Sequence, residues 1–320
     1  MPLIKLAPDN TNIDFMRWRN IALVLSILLT LASLALVAVR GLNLGVDFIG
    51  GQMIRTTFSA PIDVEQLRGE IEALNLGDAS IQEFGGPTTY QIRLPKPEGG
   101  EAAANAVATR VKQMLNQRHP GARIDSVESV SGKVSEELAR DGVLAISLAM
   151  LGIALYIWFR FEWQFGVGAL VTLFHDVSMT LGLFALFQLQ VDLNVVAAIL
   201  TIVGYSLNDT VVIYDRIREN LRKYRKMQIV PLIDLSLNET LSRTLATSLS
   251  ILLALSLLLI LGPTVIFGLT IAIFFGIFVG TYSSIYISAP ILVWLGVKPD
   301  SFLRTDEPVP GERASVGSEI

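Results

Sequence analysis

Asp209 sits in the run Val195–Tyr214 (VVAAILTIVGYSLNDTVVIY), which is otherwise apolar enough to span a bilayer. An ionisable group at membrane depth is expensive and marks a functional site; the available jobs are proton relay, ion pathway and substrate contact. Thr201, Tyr205 and Asp209 fall at i, i+4 and i+8, so they form one polar stripe, flanked by Ser206 and Asn208. Such a stripe cannot face lipid comfortably and is expected to face other helices or a wet crevice. Burial disfavours a carboxylate ion and a nearby cation favours it, so a carboxyl held between the two can take up and release a proton. Arg243, at the start of the fifth apolar stretch, is the cation of compatible depth. The same residue could instead snorkel to lipid headgroups. Thr247 lies one turn further along the same face.

A second polar pair, His175–Asp176, interrupts another apolar stretch, with Thr172 and Thr180 one turn to either side. A neutral histidine can satisfy a carboxyl, so a structural hydrogen-bonded pair is the leading reading, with proton shuttling as the sharper one. Asp215, Arg216, Arg218 and Glu219 read as a solvated, partly paired helix end. Gly276 and Gly280 form a GxxxG that favours close helix packing. The chain has no cysteine and two histidines, His119 and His175, so thiolate chemistry and cysteine or histidine-rich metal sites are excluded. A membrane hydrolase would want a nucleophile with a positioned base, or a metal site, and neither is visible, so an enzyme is not expected. No cofactor is implied.

These residues need membrane helices to position them. The 320 residues are 52% hydrophobic with a mean hydropathy of +0.54, which is membrane-protein composition. Six stretches are long and apolar enough to cross: 20–40, 141–159, 164–189, 193–214, 244–261 and 265–294. The first has too long an apolar core for a signal peptide and reads as an uncleaved anchor. The connection 215–243 carries Arg216, Arg218, Arg222, Lys223, Arg225, Lys226 and Arg243, the strongest positive-inside signal in the chain, and is expected to be a cytoplasmic loop. Its stretch Leu221–Leu241 has the mixed character of a membrane-surface segment. Counting outward from it places residues 1–19 and the tail 296–320 in the cytoplasm and 41–140 on the opposite side.

Residues 41–140 read as a small α+β domain. Strands are expected at 51–59, 79–84, 88–94 and 123–130, around a Gly85-Gly86-Pro87 turn, and helices at 63–75 and 101–117. The order βαββαβ predicts a ferredoxin-like fold serving as a binding surface. His119 precedes Pro120 and Gly121 and reads as plain surface. In LGVDFIGG (Leu44–Gly51), Gly50 and Gly51 predict a tight bend, and Asp47 reads as part of a structural linker ahead of a ligand site.

Three motifs taken together, LGVDFIGG (Leu44–Gly51), HDVSMTLG (His175–Gly182) and NDTVVIYDRIREN (Asn208–Asn220), resemble the SecF side of the SecD/SecF family of bacterial protein-export membrane subunits. The resemblance covers nearly the whole chain up to Lys298. It implies half of a resistance–nodulation–division type transporter core in the bacterial inner membrane, with 41–140 in the periplasm. It implies SecD, the SecYEG channel and YajC as partners, unfolded preprotein as substrate, contact with membrane lipids and no nucleic acid. It further implies that the proton-motive force drives export after SecA has started it. The residues matching the family's proton pathway are Asp209 and Arg243, opposite an aspartate supplied by SecD. Thr201, Tyr205, Asn208 and Thr247 would line the path. The coupling ion is expected to be H+, with Na+ as the alternative. The competing expectations are a proton-coupled exporter of small molecules or lipids, and a structural subunit without coupling.

Overall fold

A computed structural model describes residues 11–77, 79–84, 86–95 and 100–297. The expected tail beyond 297, the first ten residues and Gly85 of the Gly-Gly-Pro turn lie outside the described residues.

A 3-10 turn, Phe15–Trp18, leads into α1 (Arg19–Arg40). A two-residue strand β1 (Asn43–Leu44) and a single helical turn α2 (Val46–Ile49) then deliver the chain to the external domain. That domain runs β2 (Gly51–Thr57), α3 (Val64–Glu72), β3 (Ser80–Glu83), β4 (Thr89–Leu94), α4 (Gly100–Arg118) and β5 (Arg123–Val130). The membrane part continues with α5 (Gly132–Arg160), α6 (Trp163–Phe187), β6 (Gln190–Val191), α7 (Leu193–Lys223), α8 (Ile229–Leu261), α9 (Phe267–Ser283) and α10 (Ala289–Trp294). A π-helical turn, Ser284–Ser288, joins α9 to α10 just ahead of Pro290, whose missing N–H and bulky ring disturb a regular ladder.

The external sheet has the order β3-β4-β2-β5 with every pair antiparallel. With four strands and two crossover helices, this is the ferredoxin-like arrangement expected from the strand and helix order. Its two faces divide as the side-chain alternation requires. Ile54, Ile81, Tyr90 and Ile92 from the strands meet Leu67, Ile71, Val111 and Leu115 from α3 and α4 in one buried cluster. Asp63 caps α3 by accepting from Glu65 N at 3.0 Å. His119 departs from the plain-surface reading. Its Nε2 lies 2.7 Å from Glu70 Oε2 and its ring stands edge-on to Phe58, so it closes the end of the domain core.

Six helical spans are long and apolar enough to cross a membrane. Among them α6, α7 and α9 form the centre and α1, α5 and α8 turn broad apolar faces outward. Small residues allow the central approach. A Cβ on Gly182 would collide with Ser33 of α1, whose Cα would lie 2.9 Å away. Gly276 lies against Ile202, and Gly280 against Ser206 and Asp176, so the GxxxG of α9 is where α7 comes closest.

The connection 215–243 is a correction to the sequence reading. It is not a loop: α7 continues to Lys223, and α8 begins at Ile229 after a short turn. Hydropathy marks where a helix leaves the apolar slab, not where it ends. Nothing in Asp215–Lys223 breaks a helix, and Pro231 sits in the first turn of α8, where proline is tolerated. The supposed surface segment buries Leu232, Ile233 and Leu237 against Tyr214, Ile217 and Leu221. The polar helix ends are paired: Arg160 with Asp215 at 2.9 Å, and Arg216 with Glu239 at 2.7 Å and Glu219 at 2.6 Å. The 3-10 turn docks on the same region, with Met16 N donating to Asp234 Oδ1 at 2.9 Å.

At the foot of the external domain, Arg55 is almost fully buried, pairs with Glu128 at 3.6 Å and lies over the Phe84 ring. Burial pushes the Glu128 carboxyl above its ordinary value near 4.5; Arg55 opposes this, while Asp47 and Asp192 add to it. A carboxyl whose folded pKa is raised costs stability once it ionises. That cost is absent below about pH 4.5 and grows as pH rises through the shifted value. Glu128→Gln should therefore flatten the pH dependence. The melting temperature of wild type relative to this variant should fall between mildly acid and neutral pH, and a difference that stays constant would refute the assignment.

Candidate ion site in the membrane helices

Asp209 lies sixteen positions after Leu193 on α7, about 24 Å along an unbroken helix at 1.5 Å per residue. It is 3% exposed, and its Oδ2 is enclosed without a hydrogen-bond partner among the described residues. Arg243 on α8 is the cation whose charge reaches it, yet the two form no direct ion pair among the described residues. Arg243 itself is exposed on the outer face of this chain.

The expected stripe is divided by the fold. Tyr205 is half-buried and its hydroxyl lies 3.0 Å from Ser248 Oγ on α8, which also accepts from Thr281 of α9 at 2.8 Å. Thr201 and Asn208 are exposed. Thr247 is exposed too, and its hydroxyl donates to carbonyls of its own helix at Arg243 and Thr244. The inward face of α8 is instead Thr240, Thr244 and Ser248. The sequence reading missed this row. Its signal was present as hydroxyl residues at i, i+4 and i+8, one position out of phase with Arg243 and Thr247. Thr201, Asn208, Arg243 and Thr247 thus form a polar outer flank beside the enclosed Asp209 carboxyl.

His175 and Asp176 are both buried and make a different kind of site. His175 Nδ1 lies 2.9 Å from Asp176 Oδ1, and Ser206 of α7 and Ser283 of α9 donate to Oδ2 at 2.6 and 2.9 Å. One carboxylate therefore joins three helices. Ser206 and Ser283 were not singled out from sequence, because a lone serine in a membrane helix carries no signal until its partner is known. Thr172 and Thr180 do not extend the site; each donates back to its own helix, to Gly168 O and Asp176 O. His175 Nε2 is buried without a hydrogen-bond partner among the described residues, and His175 lines an apolar groove between α1, α6 and α10.

The two acidic residues thus contrast. Asp176 has its oxygens bonded by three groups, whereas Asp209 keeps an enclosed oxygen open. Asp47 lies elsewhere, at the foot of the external domain, where its Oδ2 accepts from Leu193 N at 3.0 Å. Gly50 and Gly51 beside it have φ of +74° and +110°, the left-handed region that favours glycine. Among the described residues no group of three acidic or histidine side chains is placed to hold a metal ion.

Fold and site together define a polytopic α-helical membrane protein with an external α+β domain and buried acidic groups between its central helices. Residues 110–298 match the family described as protein export membrane protein SecD/SecF, C-terminal, and residues 35–62 match the SecD/SecF GG motif. The protein translocase subunit SecF of Ketogulonicigenium vulgare is 42% identical over 99% of both chains. That of Cereibacter sphaeroides is 45% identical over 76% of this chain and 77% of its own length. The crystal structure of SecDF from Thermus thermophilus, a translocon-associated membrane protein, superposes with a TM-score of 0.84 at 33% identity. It is covered to 39% of its length by 91% of this chain. The chain belongs to the SecD/SecF family, and its role is that of a SecF-like subunit in protein translocation.

Proposed function

We propose that this chain is the SecF half of a SecD–SecF pair in the bacterial inner membrane, using the proton-motive force to draw unfolded preprotein through SecYEG. The observation that carries the coupling role is the Asp209 carboxyl, enclosed with one oxygen open, beside a polar flank that this chain leaves uncovered. A charge that is never exchanged would be bonded as Asp176 is. An open carboxyl next to an exposed cation suits a group whose charge changes during a cycle.

In this reading SecD covers the flank of Thr201, Asn208, Arg243 and Thr247 and completes the site with an acidic residue of its own. The fused SecDF relative from Brucella abortus, 41% identical to this chain over 297 residues, supports that pairing. Asp209 carries the proton, Arg243 is its counter-charge, and Tyr205 with Thr201, Asn208 and Thr247 lines the path. Protonation weakens the hold of Arg243 on Asp209, α7 shifts against α8, and the external domain changes posture to hold or release the preprotein. YajC and lipids surround the assembly. The basic helix ends near 215–243 face the cytoplasm with both chain termini, and residues 41–140 face the periplasm.

The driving force suits this role. A proton crossing 100 mV yields roughly 2.3 kcal/mol, enough to bias a two-state element but not to move a polypeptide in one step. Translocation into membrane vesicles carrying this chain and SecD tests the reading. Collapsing the proton gradient with a protonophore should remove the stimulation that the pair supplies. A sodium ionophore should leave it in place. If only the sodium ionophore abolishes it, Na+ is the coupling ion. If neither does, the pair is a scaffold without coupling, and copurification with an envelope exporter in place of SecY would favour the exporter reading.

A further inference from the structure

The helix that carries Asp209 is held at its far end by two carboxylates. The first four N–H groups of any helix lack partners within it. Asp192, the local cap of α7, accepts from Val195 N at 3.0 Å. The second carboxylate is Asp47, which comes from 146 positions earlier and accepts from Leu193 N at 3.0 Å. A helix is well capped by its own Asp192, so a remote second cap adds little to the helix itself. What it does is fasten the helix to something else.

The fastening is built from several contacts. Strands β1 and β6 pair in parallel, Asn43 with Gln190 and Leu44 with Val191, and Gly45 N donates to Val191 O at 2.7 Å. A Cβ on Gly45 would lie 3.1 Å from the Val191 carbonyl oxygen, tighter than an ordinary contact, so glycine suits this close approach of the strands. Phe48, one residue after Asp47, packs on the cluster that contains Val195 and Ala198 of α7. On its other side the segment meets α5, where a Cβ on Gly50 would lie 3.3 Å from both Gly132 Cα and Ser135 Oγ. Gly51 then opens β2, which is hydrogen-bonded to strands on both sides in the external sheet.

We propose that Asp47 is a positioning residue that ties the ion-site helix to the external domain, so that α7 and the root of the external sheet move as one body. The proposal rests on the coupling role given above to Asp209. A displacement of α7 at Asp209 is carried along an unbroken helix to Leu193, and the Asp47 bond, with the β1–β6 pair, hands it to Gly51 and β2. Without the tie, α7 still moves in response to ions, but the external domain no longer follows.

The chain has no cysteine, so introduced pairs can be read alone. Leu44 and Val191 are strand partners, at the close spacing a disulfide requires. The experiment measures export by the full complex with SecD for four proteins: Asp47→Ala, Asp47→Asn, Leu44→Cys/Val191→Cys, and that pair combined with Asp47→Ala. Complex yield is recorded for each, and Asp209→Asn is run beside them. Asp47→Ala should lower export several-fold, toward the level of Asp209→Asn, with complex yield unchanged, because α7 keeps its Asp192 cap. Asp47→Asn keeps an acceptor oxygen and should export normally. The cross-linked pair alone should export normally, because a joint that moves as one body tolerates a covalent lock. The same cross-link should restore export to Asp47→Ala, and reductant should remove the rescue.

Normal export by Asp47→Ala overturns the proposal. So does an Asp47→Asn variant as poor as Asp47→Ala, which would make the charge and not the bond important. Export blocked by the cross-link in an otherwise unaltered chain means the joint must open, and an unrescued Asp47→Ala means the tie is not what was lost. If Asp209→Asn exports normally, the coupling role itself fails, whereas a faulty tie leaves that variant defective.

Discussion

Asp209→Asn should remove the ion-driven part of preprotein export while leaving membrane level and SecD association unchanged. Asparagine keeps the shape of the side chain and deletes the charge cycle. The carboxyl is nearly fully buried, yet its Oδ2 has no partner within the described chain, so the folded bundle loses no hydrogen bond there when the ion becomes an amide. The energetic loss falls on coupling. At 100 mV each proton supplies roughly 2.3 kcal/mol, a bias of about 50-fold between two conformations, and a site that cannot change charge forfeits all of it. Export should fall to the level seen with the proton gradient collapsed, and a protonophore should have no further effect. Normal export by cells whose only copy carries this substitution would end the coupling assignment and favour a scaffold.

The second large effect is of the opposite kind. Asp176→Ala should destabilise the protein and lower its membrane level, with coupling per surviving complex little changed. Its carboxylate accepts from Ser206 on α7 and Ser283 on α9 and pairs with His175 on α6. Truncation removes three buried bonds and leaves His175 Nδ1 and Ser206 Oγ without a partner among the described residues, while Ser283 falls back on Gly280 O at 3.1 Å. Hydrogen bonds between membrane helices average about 0.6 kcal/mol and reach about 1.7, so three of them amount to about 2 to 5 kcal/mol. Asp176→Asn retains acceptor capacity and should cost less than half as much. Thermal unfolding of the purified complex in detergent, with export normalised to protein level, separates the cases. If Asp176→Ala keeps its stability but loses coupling, the polar knot is a second ion site and the structural reading of it is wrong.

The external domain was legible because each of its signals is local. Alternating apolar positions, the amphipathic face of α3 and the glycine-rich turns specify βαββαβ, and few topologies accommodate that order. His119 was misread for the complementary reason. A histidine before Pro-Gly is typical of a surface loop, and only the approach of Glu70 from α3 and Phe58 from the end of the central strand β2 encloses it. The helical extension through 215–243 was hidden because hydropathy reports solvent, whereas helicity persists until a breaker or a lost hydrogen-bond ladder stops it.

By itself the sequence determined that this is a six-span membrane protein, that an external domain is inserted after the first span, and that acidic groups at 176 and 209 lie within the third and fourth spans. Length, apolarity and side-chain period are properties of a segment and need no partner to be read. The tertiary structure alone decided which acid is bonded and which is open, which row of α8 hydroxyls turns inward, and that Asp47 reaches the first residue of α7. Each of these depends on how two helices are rotated and crossed. That rotation is set by where glycine, serine and alanine let backbones approach, as Gly182 does with Ser33, a residue 149 positions earlier. A 3.6-residue period places residues on a common face but leaves open which neighbour that face meets.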